Sequence, residues 1–244
     1  MDDITAAQTL IRTLDLTSLG KDDNEFKIEA LCEKASTKYG NVAAVCVYPK
    51  FIPLVKRLLN GTDIKAATVV NFPDGGWDFD KLRSEIREAV KLGADEIDAV
   101  FPYKKFLEGD EETCENFLRT VKEECGKKHT LKIILETGEL QKMSLIAKAS
   151  QMCIAHGANF IKTSTGKSKI SATPEAANII LETIANSQKN VGFKASGGIR
   201  TFEEARKYLV LANSIMGGKW PTAKHFRIGA SSLIDDLLAV LNRG

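Results

Sequence analysis

The residues with the most chemistry in this sequence are two lysines and an aspartate placed at strand ends. Lys162 stands in Phe160-Ile-Lys-Thr-Ser-Thr-Gly-Lys167, after a strand-like pair and before a hydroxyl-rich turn containing glycine. Burial at such a place disfavours the ammonium form and lowers the lysine pKa. The free amine is a nucleophile that adds to carbonyl carbon and gives a Schiff base. A surface lysine at a strand end is the plainer alternative, since lysine is seldom buried without a partner. Lys194, in Val191-Gly-Phe-Lys-Ala-Ser-Gly-Gly-Ile-Arg200, is predicted on the next strand. Two ammonium groups held close together repel, and at least one then gives up its proton more easily. A structural salt bridge from Lys194 to Asp98 or another acid is the competing reading.

The acid comes from an internal similarity. Gly93-Ala-Asp-Glu-Ile-Asp98 resembles Gly157-Ala-Asn-Phe-Ile-Lys162. In each, the glycine would end a helix and the charged residue would follow on a strand. Asp98 and Lys162 then share a register, and alternate strands of a barrel send side chains into one layer. A recurring helix-to-strand join with coincidental charges is the alternative. Charges inside apolar strands are costly unless paired, and two at one register favour a site.

Anion binding is legible further along. Gly197-Gly198 follows one strand, and Gly229-Ala-Ser231-Ser232 follows the next and opens the last helix. Amide groups at glycine turns and helix N-termini bind anions, and barrels often hold phosphate in these loops. Lys167 and Arg200 could add positive charge. Cys46 sits on an apparent strand as core or pocket lining. Asp15 and Glu136, at strand ends, are pocket acids or caps. Gly166-Lys167-Ser168 lacks the leading glycine of a P-loop, and no G-x-G-x-x-G occurs. His129, His156 and His225 are scattered, so no metal and no cofactor is expected.

These residues need elements to hold them. The chain has 244 residues, enough for one (β/α)8 barrel, which takes about 250. Strands are predicted to begin near Thr13, Ala43, Ala66, Glu96, Leu131, Phe160, Gly192 and Phe226, with helices between. One helix is predicted over Asp80–Leu92, and a capping box at Thr201-Phe-Glu-Glu204 opens another over Phe202–Leu211. Thr173-Pro174 starts a third. Leu233, Leu237, Leu238 and Leu241 form the stripe of the last. The expected fold is a single α/β domain over 1–244, a (β/α)8 TIM barrel with a short N-terminal helix; an open doubly wound sheet is the competitor.

Composition narrows the function classes. With 34 basic and 32 acidic residues, the net charge of +2 gives no electrostatic case for nucleic acid or an anionic membrane. No apolar run reaches the roughly 18 residues of a membrane span. Five cysteines without a C-x-x-C pair fit a reducing compartment. The acidic start Met1-Asp2-Asp3 shows no signal peptide, so a cytoplasmic location is expected. The partners expected are small molecules; a homodimer is compatible with the sequence, which does not specify assembly.

Eight blocks in order carry a resemblance: Asp15-Leu-Thr17, Cys46-Val-Tyr-Pro49, Asn71-Phe-Pro73, Gly93 to Asp98 with Phe101-Pro-Tyr103, Ile134-Leu-Glu-Thr-Gly-Glu-Leu140, Phe160 to Gly166, Lys194 to Arg200, and Gly229-Ala-Ser-Ser232. The chain thereby resembles the deoxyribose-phosphate aldolases, class I aldolases with a (β/α)8 barrel. The resemblance implies reversible cleavage of 2-deoxy-D-ribose 5-phosphate to acetaldehyde and D-glyceraldehyde 3-phosphate, in deoxyribonucleotide breakdown. It makes Lys162 the Schiff-base lysine and Asp98 with Lys194 the proton-transfer pair. Asp15 and Cys46 would line the pocket. Thr163, Gly166, Lys167, Gly197, Gly198, Gly229, Ser231 and Ser232 would bind substrate, mostly at its phosphate. Some members have a longer C-terminal tail ending in tyrosine where this chain stops at Gly244, and some have proline where it has Ala195. The rivals are a phosphosugar isomerase, another Schiff-base aldolase, and a non-catalytic phosphate binder on the same barrel.

Overall fold

The computed structural model describes residues 1–243. Eight parallel strands close into a barrel in chain order: β1 (Leu14–Thr17), β2 (Ala44–Val47), β3 (Lys65–Val70), β4 (Glu96–Val100), β5 (Thr130–Ile134), β6 (Phe160–Lys162), β7 (Gly192–Ser196) and β8 (Phe226–Ala230). All eight begin within one residue of the positions predicted from sequence. Helices connect successive strands, and β8 pairs with β1, so the sheet has no edge. A two-residue antiparallel ribbon, Ser36–Thr37 with Gly40–Asn41, lies outside the barrel.

The alternation along the strands explains the closure. Outward positions such as Leu14, Leu16, Val45, Ile97, Ile133, Ile161, Phe193 and Ile228 are buried in the main apolar core. They pack in the layer between sheet and helices, the main hydrophobic store of this fold. Inward positions on the same strands are Asp15, Glu96, Asp98, Lys132, Lys162, Lys194 and Arg227, all buried. The polar half of the alternation is therefore turned into the barrel rather than toward water.

Local signals fix the helices. The N-terminal helix, Asp3–Arg12, is capped by Asp2, which accepts from the Thr5 amide, and it packs on the last two helices. The capping box at Thr201 and Glu204 is present. Its helix continues to Met216, past the predicted end at Leu211, because Ala212, Ile215 and Met216 sustain the apolar spacing. It stops where Gly217 takes φ of 90°. Gly93 and Gly157, the paired glycines of the internal similarity, have φ of 95° and 79°. Each follows a helix and leads into a strand.

Candidate active site

The strand register places the charged residues in layers. Asp98 pairs with Lys132, and Lys132 with Phe160, so Lys162 lies two positions further along β6. In a tilted barrel, this two-residue offset over two strands brings side chains to one level. Beneath Thr17, Val69, Ile134 and Ser196 at the C-terminal end, the register followed round the barrel puts Cys46, Asp98, Lys162 and Gly229 in the uppermost layer that carries charge. Below it come Asp15, Ala67, Lys132 and Lys194, and below those Ala44, Glu96, Phe160 and Arg227. The upper layer comes from even strands and the middle from odd, as interdigitating barrel layers require.

A continuous ion network fills the three layers. The Asp98 carboxylate accepts from Lys162 Nζ at 2.8 Å, Lys194 Nζ at 2.9 Å and Lys132 Nζ at 2.7 Å. Asp15 accepts from Lys194 at 2.5 Å and from Arg227 at 2.5 Å. Glu96 pairs with Lys132 at 2.6 Å and with Arg227 at 2.8 Å. Buried charges survive only when paired and hydrogen-bonded, which this arrangement supplies.

The lysines differ in ionisation. Burial alone would lower the Lys194 pKa, but Asp15 and Asp98 outweigh it and hold this lysine well above the ordinary value. Lys132 is likewise raised against burial by Asp98, Glu96 and Asp15. Lys162 goes the other way. Burial is the largest influence lowering it, Asp98 opposes this, and Lys194 adds to the lowering. Burial thus outranks the neighbouring ammonium as the cause. Asp15 and Asp98 are both pushed up by burial, yet the surrounding cations hold them below the usual carboxylate range.

These carboxylates release protons more readily folded than unfolded. Their contribution to stability is present above the unfolded pKa of about 3.9 and is lost as pH falls through their lower folded values. Acid titration of the melting temperature is expected to show a fall that continues below the ordinary carboxylate range. Asp98→Asn should reduce the depth of that fall.

A cavity of about 400 Å³ opens above the upper layer. It is lined by Lys162, by Thr165, Gly166 and Lys167 after β6, by Ser196 to Arg200 at and beyond the end of β7, by Gly229 to Ser231 at and beyond the end of β8, and by Thr17 to Gly20 at and beyond the end of the neighbouring β1. Lys162 is the base of the network that reaches this space; Lys132, Lys194 and Arg227 lie beneath. Gly166, Gly197 and Gly198 have φ of 78°, 89° and 81°, a region open to glycine at little cost. The final helix starts at Leu233 with Ser232 as N-cap and no side-chain capping bond, which leaves amide donors for water or an anion. Lys167 Nζ donates to the Leu19 carbonyl at 2.7 Å and ties the β6 loop to the β1 loop.

Gly229 serves a different need. A Cβ there would stand 2.9 Å from Lys194 Cε and 2.9 Å from Ser196 Cβ. Gly229→Ala is expected to cost about 1–3 kcal/mol, the scale of overpacking, measured by denaturant unfolding. It should also lower turnover by moving Lys194.

Placement of the residues expected from sequence is uneven. Lys162, Gly166, Lys167, Gly197, Gly198, Gly229 and Ser231 line the cavity. Asp98, Lys194 and Asp15 lie in the ion network below it, joined to Lys162 through Asp98. Cys46 is in the upper layer within a small apolar cluster of Leu19, Ala44, Ala67 and Val69, and burial raises its thiol pKa. Thr163 is buried, with Oγ1 accepting from the Ser196 amide at 3.0 Å and so fastening β6 to β7. Ser232 is exposed at the helix start and does not line the cavity. Glu136 takes φ of 56° and accepts from the Thr165 amide and hydroxyl, which pins the loop carrying Gly166 and Lys167.

Lys132, Glu96 and Arg227 carry no assignment in the sequence reading. Their only signal is a charge on an otherwise apolar strand, without the repeated motif that singled out Asp98. Among the described residues, no group of three or more His, Cys, Asp or Glu side chains is arranged to hold a metal, and no helix is long and apolar enough to cross a membrane.

Known proteins share this fold. The model of the DeoC/LacD family of aldolases matches residues 9–239. A Coccidioides immitis protein provisionally assigned as a deoxyribose-phosphate aldolase is 30% identical, with a TM-score of 0.82 over 94% of this chain and 85% of that one. An aldolase designated QR15 is 29% identical, with a TM-score of 0.81 over 96% of each chain. A Toxoplasma gondii protein with the same provisional assignment is 25% identical, with a TM-score of 0.88 over 99% of this chain and 98% of that one.

Proposed function

The chain belongs to the DeoC/LacD family of aldolases, and on that basis we propose that it cleaves 2-deoxy-D-ribose 5-phosphate reversibly to acetaldehyde and D-glyceraldehyde 3-phosphate through a Schiff base on Lys162. The observation that carries the reading is the position of Lys162. It is a buried lysine of lowered pKa at the floor of a cavity whose wall includes the glycine turns Gly166 and Gly197-Gly198 and the segment Gly229 to Ser231.

The free amine of Lys162 adds to the C1 aldehyde carbon. The carbinolamine takes up a proton at its hydroxyl and loses water to give an iminium. The electron pair of the C2–C3 bond then flows toward the iminium nitrogen. C3 becomes the aldehyde of glyceraldehyde 3-phosphate as its hydroxyl proton departs, and an enamine remains on Lys162. Protonation of C2 and addition of water release acetaldehyde and restore the amine. Asp98, 2.8 Å from Lys162 Nζ, moves protons at the carbinolamine and enamine steps. Lys194, held protonated by Asp15 and Asp98, orders that relay. Gly166, Lys167, Gly197, Gly198 and Ser231, which line the cavity, hold the phosphate, whose binding energy orients the reacting bond; Ser232, outside the lining, is left to cap the last helix. The reading includes a role in deoxyribonucleotide breakdown in the cytoplasm.

Product analysis tests the substrate. Incubation with 2-deoxyribose 5-phosphate should yield acetaldehyde and glyceraldehyde 3-phosphate in equal amounts. Formation of an isomeric sugar phosphate in their place would favour a phosphosugar isomerase, and binding without turnover a non-catalytic role.

A further inference from the structure

Three buried carboxylates, Asp15, Glu96 and Asp98, share the barrel interior with four basic side chains, Lys132, Lys162, Lys194 and Arg227. All seven are at most 5% exposed. A net charge sealed from water is costly, so the cluster favours equal numbers of each sign. One base must therefore be neutral. Lys132 touches two carboxylates within 2.7 Å, Lys194 touches two within 2.9 Å, and Arg227 touches two within 2.8 Å. Lys162 has one carboxylate partner, Asp98, which it shares with both other lysines. It is also the base beside the cavity, where a released proton can leave.

We propose that Arg227, in the lowest layer and outside the cavity, keeps Lys162 in its free-amine form by supplying the fixed third positive charge of the cluster. The line of contacts is continuous. Arg227 bonds Asp15, Asp15 bonds Lys194, Lys194 bonds Asp98, and Asp98 bonds Lys162. Guanidinium suits this place because it stays charged when buried. Its two carboxylates, together with the Ala223 carbonyl at 2.6 Å, fix its orientation. The groups that face Lys162 are Asp98 from β4, Lys194 from β7 and Cys46 from β2. Lys132 and Asp15 join it through Asp98 and Lys194, and β3 brings only Ala67 and Val69. Lys167 and Arg200 line the cavity above. Arg227 is a positioning residue that acts through Asp15 and Glu96. The proposal rests on Lys162 being the amine that meets the aldehyde.

The charge count gives signed outcomes. Arg227→Met leaves three carboxylates and three lysines, and Lys162 is then needed as a cation. Glu96→Gln leaves two carboxylates and pushes Lys162 further toward the free amine. The double variant Glu96→Gln/Arg227→Met restores one surplus base. The measurement is the rate of adduct formation on Lys162 with acetaldehyde and cyanoborohydride, followed by peptide mass spectrometry from mildly acidic to alkaline pH. For Arg227→Met the acid limb of the profile is expected to move up by about one pH unit or more, roughly tenfold less adduct at a given pH on the limb. It should return to the wild-type position in the double variant and in Arg227→Lys, and move down in Glu96→Gln.

A merely structural role would lower adduct formation in the single variants without opposite shifts or charge-restoring recovery. Should Arg227→Met fail to fold, Glu96→Gln against wild type and the double variant decides. Coincidence of those three limbs overturns the proposal, as does an unmoved limb in Arg227→Met. Absence of any Lys162 adduct, in every form and at every pH, would overturn the Schiff-base reading instead.

Discussion

Lys162→Met is expected to reduce aldol cleavage on the order of 10⁴-fold or more, the scale on which a covalent nucleophile is missed, while the barrel folds as well as before. The two halves of that outcome have separate causes. The amine forms the bond to substrate, and Lys132 and Lys194 cannot take over, because both are held as ammonium ions below the cavity. Stability is spared because Lys162 is the surplus base. Its removal leaves three carboxylates facing Lys132, Lys194 and Arg227. Methionine fills similar volume without a polar atom to satisfy. The melting temperature should be unchanged or higher, and phosphate-ester binding should persist, since the glycine turns after β6 and β7 are untouched. A large loss of stability would place Lys162 among the structural ion pairs.

Asp98→Asn is expected to do the opposite to stability and nearly as much to rate. Asp98 accepts from three lysines, and the amide would leave them with two carboxylates in reach, Asp15 and Glu96. Breaking a buried pair by removing one partner typically costs about 3–5 kcal/mol. Turnover should fall by about 10²–10⁴, the contribution of a positioned acid–base group, with kcat reduced more than KM is raised. Parallel measurement of unfolding and steady-state kinetics separates the two losses. A variant with raised KM and intact kcat would assign Asp98 to ground-state binding.

The contrast between these variants shows what the sequence could and could not disclose. The start of every barrel strand was legible to within a residue, because outward positions are apolar and the breaks carry glycine, proline or caps. Asp98 and Lys162 were legible because their motifs repeat, with glycine and charge at equal spacing. Lys132 and Arg227 were not, since Thr130-Leu-Lys-Ile-Ile134 and Phe226-Arg-Ile-Gly-Ala230 repeat nothing. A single charge on a strand does not say whether it points in or out. Only the register, which pairs Lys132 with Asp98 and Arg227 with Lys194 on neighbouring strands and so sets each one layer below its partner, puts them in one cluster. The weight of burial over Lys194 in lowering the Lys162 pKa was equally out of reach, because it depends on how completely the interior is sealed. Ser232 illustrates the converse: its motif places it at the helix start, but not which way its side chain turns.

The central claim is that Lys162 is the amine that becomes covalently joined to substrate. Borohydride reduction during turnover of 2-deoxyribose 5-phosphate, followed by peptide mapping, tests it most directly. A stable adduct on the peptide bearing Lys162, absent in Lys162→Met, is the result expected. Undiminished turnover with no adduct, or an adduct on Lys194 or Lys132 instead, would contradict it.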